Sequence, residues 1–130
     1  MKYANVENLS KYYPPNSFDL LTCLHVLEHC RHPYKVLKEL KKVTKKYILI
    51  AVPNARYIIQ EEREAHLYSW NESSLRNLLK DLEFKIIILS EEWVNVIPNV
   101  LRMAPIINRV LLKLFYKPME LIALIKNNFN

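Results

Sequence analysis

The sequence predicts an α/β protein whose sheet is largely parallel and whose strands are joined by crossover helices. Three apolar segments bounded by turn residues have the character of buried strands: Phe18–Leu24, Tyr47–Val52 and the run that begins at Phe84. Two segments with apolar residues at helical spacing lie between them. This alternation of strands and helices is typical of parallel sheets with crossover connections.

The two predicted helices have recognisable boundaries. Pro33 fits the first turn of a helix, where its missing N–H is harmless, and this helix is expected to run to about Thr44. The second helix is expected to be capped by Ser69 or Asn71. Each helix carries an apolar stripe for the core, made of Val36, Leu37, Leu40 and Val43 in the first and of Leu75, Leu78, Leu79 and Leu82 in the second.

Two further expectations concern the strands. The unbroken apolar character of Phe18–Leu24 predicts burial on both faces of the sheet. A short strand is expected at Tyr3–Val6, and a last one in the segment ELIALIKN, which starts at Glu120.

Composition limits the functional classes. The 130 residues carry a net charge of +6, which favours anionic partners. The charge peaks in Lys35–Lys46, which we interpret as a solvated helix face; no aromatic residues are interleaved there, so nucleic acid is not indicated. Because the sequence has no signal-like apolar start, no run of about 18 apolar residues and no CxxC pair, we expect a cytoplasmic, reduced protein without a transmembrane segment.

Glycine is absent from all 130 residues, although average usage of about 7% would give about nine. Glycine-rich loops bring backbone close to a phosphate because glycine has no Cβ. Nucleotide-binding loops of the GxGxxG or P-loop type are therefore excluded from these residues.

Chemically active side chains cluster immediately after the first predicted strand. Three of the four histidines, at positions 25, 29 and 32, lie here together with Glu28 and Cys30. If residues 26–30 form a helical turn, His25, Glu28 and His29 share one face at i, i+3 and i+4. Two imidazoles and a carboxylate at this spacing suit a divalent metal, while a contact to substrate or cofactor and a purely structural role stay open.

The order and spacing of these segments resemble the second half of a class I S-adenosylmethionine-dependent methyltransferase. The resemblance covers about Tyr3 to Ser90: FDLLTCLHVLEH is similar to the family's fourth strand and the loop after it, ILIAVPN to the fifth strand and EFKIIIL to the sixth. It implies a partial Rossmann-like sheet in which ELIALIKN is an antiparallel seventh strand between the fifth and the sixth. Residues 1–130 would then be a single truncated domain, with a family-like core (1–92), a helical insertion (93–117) and a last strand and tail (118–130).

The resemblance implies S-adenosylmethionine as the cofactor. Asn5 and Val6 correspond to the segment that contacts the adenine, although the family often has an acidic residue where this chain has Asn5. The carbonyl of an asparagine can accept the same hydrogen bond without the charge. Cys23 and Leu24 lie at the strand end that faces the cofactor.

The same resemblance implies catalytic roles for His25, Glu28 and His29. Catalysis would consist largely of in-line positioning of the acceptor against the sulfonium methyl group, with His25 as base or as the group that orients the acceptor. The methyl acceptor itself is not identified by any of these residues.

The family's glycine-rich half is expected ahead of Met1, and the Pro-Gly-Gly turn before its fifth strand is replaced by Lys45-Lys46. We therefore expect weak or absent cofactor binding by this chain alone. Two hypotheses follow. The chain is either the methyl-transfer half of an enzyme whose cofactor half is supplied elsewhere or was lost, or a non-catalytic module that oligomerises or completes a partner.

A metal-assisted O-methyltransferase half is a second alternative. The family's small-RNA 2′-O-methyltransferases and some of its quinone-biosynthesis enzymes bind metal through a Glu-x-x-Glu-His sequence at this place. This chain matches the Glu28-His29 part and has His25 instead of the first glutamate, while His66 is the counterpart of a further histidine in the RNA enzymes. Many family members carry a similar Glu-His pair without a metal, so the absence of any metal is the competing interpretation.

The resemblance also predicts assembly. In the complete family, the strand that matches Phe18–Leu24 is flanked by the strand of the glycine-rich loop, and without that neighbour one apolar edge needs a cover. The segment Ile106–Phe115 is apolar nearly all round, which favours an oligomer contact; a substrate lid, as the family often has here, and a membrane-surface helix stay open. We expect a homo-oligomer, most simply a two-fold dimer, or a partner that supplies the missing half.

Overall fold

The computed structural model describes residues 4–57, 65–91 and 120–127. The strands of the described sheet are β1 (Phe18–Leu24), β2 (Thr44–Pro53), β3 (Lys85–Ser90) and β4 (Glu120–Lys126). The described α-helices are α1 (Pro33–Val43) and α2 (Glu72–Asp81), and short 3₁₀ turns occupy Val6–Lys11 and Leu27–His29. The insertion expected at 93–117 lies outside the described residues, as does Tyr3.

The sheet has the strand order β1-β2-β4-β3. β1 pairs with β2 in parallel, whereas β4 is antiparallel to both β2 and β3. β3 therefore runs in the same direction as β1 and β2. This arrangement confirms the predicted α/β class and the antiparallel last strand inserted between the second and third strands of the chain.

The expectation that β1 is buried on both faces is wrong. Cys23 is buried in the core and Leu21 packs against it, but Leu20 and Leu24 are 56% and 43% exposed. Successive side chains of a strand point to opposite faces, and the core contains side chains of both α1 and α2 on the Cys23 face. β1 is also an edge strand of the described sheet, so its other face has less neighbouring structure to cover it.

The helix boundaries agree closely with the sequence prediction. α1 begins at Pro33 and ends at Val43, one residue before the expected position. Asn71, not Ser69, caps α2: its Oδ1 accepts from the Ser74 backbone N–H at 2.8 Å, and its own N–H donates to the Ser74 hydroxyl at 3.0 Å. This reciprocal pair satisfies two N–H groups that the first turn of a helix leaves without partners.

No strand is present in the described part of the segment Tyr3–Val6. Asn5 instead caps the 3₁₀ turn Val6–Lys11, and its side-chain oxygen accepts from the Glu7 backbone N–H at 2.9 Å. Asparagine offers the backbone this local hydrogen bond in competition with a strand ladder, which explains the failure of the prediction.

After β2 the chain turns so that a later segment lies beside its end. Asn54 and Trp70 form an isolated parallel bridge, and the Ala55 N–H donates to the Trp70 carbonyl at 2.7 Å. Residues 65–70 are thereby held close to the carboxyl end of the sheet. Among the residues that the structure describes, no helix is both long and apolar enough to cross a bilayer.

Glu39 on α1 fixes the N-terminal 3₁₀ turn to the helix. One carboxylate oxygen accepts from the backbone N–H and the hydroxyl of Ser10 at 2.9 and 2.7 Å, and the other accepts from Nζ of Lys42 at 2.6 Å. Burial alone would raise the pKa of Glu39, but these hydrogen bonds outweigh it and lower the pKa from 4.5 to about 2. A lowered pKa in the folded state stabilises the fold above pH 4.5, and this contribution is lost as the pH falls toward 2.

We expect Glu39→Gln to lower the free energy of unfolding at pH 7 by about 1–3 kcal/mol, because it weakens charge-assisted hydrogen bonds to a buried group. The deficit should shrink between pH 4.5 and 2, where the wild-type carboxylate is itself protonated. Urea denaturation at pH 7 and near pH 2 measures both effects. Glu72→Gln, which removes only a surface pair with Arg76, is the control and should cost at most about 0.5 kcal/mol. Equal decreases in the free energy of unfolding at both pH values would contradict the lowered pKa of Glu39.

Candidate functional site

The first candidate site lies where strands of opposite direction meet. β1 and β2 end at Leu24 and Pro53, and the first residue of β4, Glu120, pairs with Pro53. Because β4 is antiparallel, its beginning lies at the carboxyl ends of its parallel neighbours. Ligands of open α/β sheets bind at such carboxyl ends.

His25 is held between two carboxylates at this edge. Its backbone N–H donates to the Ala51 carbonyl at 2.9 Å, and its φ of 52° puts it in the left-handed region, which histidine tolerates better than most residues. Nε2 lies 3.0 Å from Oε1 of Glu120 and Nδ1 lies 3.3 Å from Oε1 of Glu28. The imidazole is therefore fixed in orientation from both sides.

Glu28 is a buried carboxylate in the 3₁₀ turn Leu27–His29, with only 1% of its surface exposed. Nδ1 of His25 approaches Oε1 at 3.3 Å and Nε2 of His29 lies 4.0 Å from it, but neither carboxylate oxygen has a hydrogen bond of good geometry to a residue that the structure describes. A buried carboxylate without such bonds is costly, so its environment favours a ligand or a positively charged neighbour.

The backbone of Glu28 brings a fourth side chain to the cluster. Its carbonyl accepts from the N–H groups of Leu67 at 2.9 Å and Tyr68 at 3.3 Å, which places the preceding residue, His66, against His29. The two imidazole rings meet edge to face with centroids 4.9 Å apart. Nδ1 of His66 is buried and has no hydrogen-bond partner among the described residues.

The structure therefore brings together three of the four residues considered as metal ligands from the sequence. One donor atom from each of Glu28, His29 and His66 lies within 4.8 Å of the other two. His25 contacts Glu28, but it does not belong to this group, and its second nitrogen is occupied by Glu120.

The residues considered for cofactor contact are placed differently. Cys23 is buried, and burial first, then the charges of Cys30 and Glu28, raise the pKa of its thiol to about 12, so it is a neutral packing residue at physiological pH. Leu24 is exposed at the end of β1. The side-chain oxygen of Asn5 already accepts from Glu7, and Val6 packs against the core.

Glu120 is the site residue that the sequence analysis missed. It lies 95 positions from His25, and no local pattern connects the two residues. The signal that could have found it is topological: the first residue of an antiparallel last strand lies at the carboxyl ends of the parallel strands.

The family comparison matches part of the chain. A family model described as a methyltransferase domain matches residues 1–52, which include β1, α1 and most of β2. No curated protein sequence matches the chain significantly.

Solved structures match nearly the whole chain at low identity. A protein described as a methyltransferase, in complex with the Trm112 methyltransferase activator of Haloferax volcanii, has a TM-score of 0.68 and 12% identity over 97% of this chain and 60% of that one. The (4+2)-cyclase SpnF has a TM-score of 0.66 and 15% identity over 99% and 57%. A SAM-dependent methyltransferase from Archaeoglobus fulgidus has a TM-score of 0.60 and 17% identity over 96% and 66%.

These comparisons establish the fold, which is the Rossmann-like fold of S-adenosylmethionine-dependent methyltransferases. The chain spans between 57% and 66% of the length of the three structures described above. SpnF shares the fold and is described as a cyclase, so the fold alone does not assign methyl transfer.

Proposed function

We propose that this chain takes part in S-adenosylmethionine-dependent methyl transfer and contributes the part of the site built on β1, β2 and β4. The main support is the coincidence of the strand order β1-β2-β4-β3 with the methyltransferase-domain match over residues 1–52. The 130 residues contain no glycine, so the glycine-rich loop that holds the cofactor in this fold has to be supplied by other residues. Alone, the chain is inactive or binds the cofactor weakly.

Within this proposal, His25 orients the methyl acceptor or removes its proton. It is exposed by 46% at the carboxyl end of β1, where an acceptor can reach it, and its ring is fixed by Glu28 and Glu120. Nε2 must leave Glu120 before it can hydrogen-bond an acceptor or take a proton from it. Glu28 and His29 act on the acceptor only through His25 or through a bound ion.

A metal-assisted O-methyltransferase is the second candidate. Its support is the group of Glu28, His29 and His66, in which a carboxylate and one imidazole nitrogen are buried without hydrogen-bond partners within the described ranges. Carboxylate and imidazole donors in this combination fit Zn²⁺ or Mn²⁺. A divalent ion bound there would polarise a hydroxyl acceptor as a Lewis acid.

The exposed edge and face of β1 support assembly. Leu20 and Leu24 expose apolar surface on one face of a strand whose outer edge has no partner among the described strands. We propose that a second copy of the chain covers this strand about a two-fold axis, which lets each β1 pair with its own counterpart. The alternative occupant is a polypeptide that carries the glycine-rich strand and loop, in which case the chain is a non-catalytic or partner-dependent module.

The isolated chain should bind S-adenosylmethionine with a Kd weaker than about 1 mM, because the loop that cradles the methionine moiety is absent. Calorimetric titration measures this directly. A chimera with a family-type glycine-rich strand and loop joined ahead of the chain should bind at least about a hundredfold more tightly. Micromolar binding by the chain alone would contradict the proposal that other residues must supply the glycine-rich loop. If the folded chimera fails to bind S-adenosylmethionine, the proposal that this chain contributes part of the cofactor site is wrong.

Zn²⁺ should raise the melting temperature of the chain by about 10 °C at a hundredfold excess over its Kd, if Glu28, His29 and His66 hold it. Glu28→Gln and His66→Gln should abolish the shift. His25→Gln and His32→Gln should keep it, because neither residue belongs to the group of three. A melting temperature that does not respond to Zn²⁺ or Mn²⁺ would exclude the metal candidate.

Light scattering at micromolar concentration should give twice the mass of the chain, and Leu20→Lys should shift it to the monomer, because the new charge would be buried in the interface. Ile87→Lys is a matched control, since Ile87 is 45% exposed and lies on β3, at the opposite edge of the described sheet from β1. A wild-type monomer that melts cooperatively would show that another polypeptide, not a second copy, covers β1.

A further inference from the structure

A second candidate site lies on the α1 side of the molecule. A groove of about 810 Å³ separates the start of α1 from the segment that precedes α2. Its walls include Arg31, His32, Tyr34 and Lys35 from the first region and Tyr68 and Trp70 from the second. The volume is in the range of pockets that hold small molecules. None of these six side chains is assigned a role in the methyl-transfer site.

The charge of the groove is positive. Among the described residues that line it, Arg31 and Lys35 are charged and none carries a carboxylate. Lys35 lies 3.8 Å from Glu7, but the guanidinium of Arg31 forms no ion pair with any described residue. α1 also begins here without a side-chain cap and without an acidic residue in its first turn, so the positive end of its dipole adds to the charge of Arg31 and Lys35.

The opposite wall is an aromatic platform. The rings of Tyr68 and Trp70 are stacked, with centroids 5.8 Å apart and planes inclined by 24°. The Tyr68 hydroxyl donates to the Arg31 carbonyl at 3.0 Å, which fixes the platform relative to the cationic wall. Tyr68 is 39% exposed, whereas Trp70 is 7% exposed, and its buried indole N–H has no hydrogen-bond acceptor in the part of the chain that the structure describes. An exposed ring held in place by packing is suited to stacking on a planar ligand.

We propose that this groove binds a small anionic molecule that carries a planar ring, of the kind exemplified by a mononucleotide. The ring stacks on the Tyr68–Trp70 platform, and the anionic group is bound by Arg31, Lys35 and the first turn of α1. Both parts are needed because an exposed cation or a single aromatic contact is individually weak in water. The proposal does not depend on methyl transfer, since it uses residues outside the first candidate site.

Calorimetric titration of the full chain with adenosine 5′-monophosphate tests the proposal, with adenosine and inorganic phosphate as partial ligands. The monophosphate should bind, and each partial ligand should bind at least about tenfold more weakly. In an NMR spectrum of the Trp93→Phe variant, the indole N–H signal of Trp70 should shift on addition of the monophosphate and remain in place with phosphate alone. Absence of binding, or equal binding of phosphate and monophosphate, would overturn the proposal.

Variants locate the ligand. Arg31→Gln and Tyr68→Leu should each weaken binding about tenfold, whereas Tyr68→Phe should retain most of it because the ring is kept. Arg56→Gln and Tyr12→Leu are controls of the same chemistry outside the groove. Unchanged binding in both Arg31→Gln and Tyr68→Leu would place the ligand elsewhere.

A trinucleotide that binds much more tightly than the monophosphate would overturn the small-molecule assignment in favour of nucleic acid. Circular dichroism melting shows whether each variant is folded. If Tyr68→Leu does not fold, Arg31→Gln still tests the proposal, because Arg31 is an exposed residue.

Discussion

The insertion of β4 between β2 and β3 is the constraint on which the rest of the structure depends. β4 is the only described strand that pairs with β3, and its residues Leu121, Ile122, Ala123 and Ile125 are buried. Its far end is fixed by Asn127, whose side-chain amide donates to the carbonyls of Lys41 and Thr44 at 2.8 and 2.6 Å. With that end tied to the junction of α1 and β2, the register of β4 is set, and Glu120 has to lie at the carboxyl ends of the parallel strands.

Sequence reasoning succeeded where local pattern decides the structure and failed where distant contacts decide it. Apolar runs and turn residues located β1 and β4, and Pro33 located the start of α1. The exposure of Leu20 was missed because an apolar run shows that a strand can be buried, not which neighbours cover it. The contact between His25 and Glu120 depends on strand order and register, which the residues around His25 do not encode.

One short segment connects the two candidate sites. The backbone N–H groups of Leu67 and Tyr68 both donate to the carbonyl of Glu28, so the segment is fixed to the turn that carries the buried carboxylate. His66 on this segment completes the group with Glu28 and His29, and Tyr68 forms the platform of the groove. A ligand that moves Tyr68 therefore also acts on the hydrogen bonds that position His66. The two sites are physically adjacent, although their proposed ligands differ.

The fold narrows the chemistry without deciding it, because a cyclase and methyltransferases share it. The reaction depends on the side chains at the carboxyl ends of the strands, where each ring nitrogen of His25 lies close to a carboxylate. While Nε2 is held by Glu120 it can neither hydrogen-bond an acceptor nor take its proton, and Nδ1 faces the buried carboxylate of Glu28 instead of the open edge. Proton removal by His25 would require Glu120 to move away, and Glu120 is the first residue of β4. In the proposed enzyme, the access of an acceptor to Nε2 of His25 would therefore depend on the position of Glu120 at the start of the strand that organises the sheet.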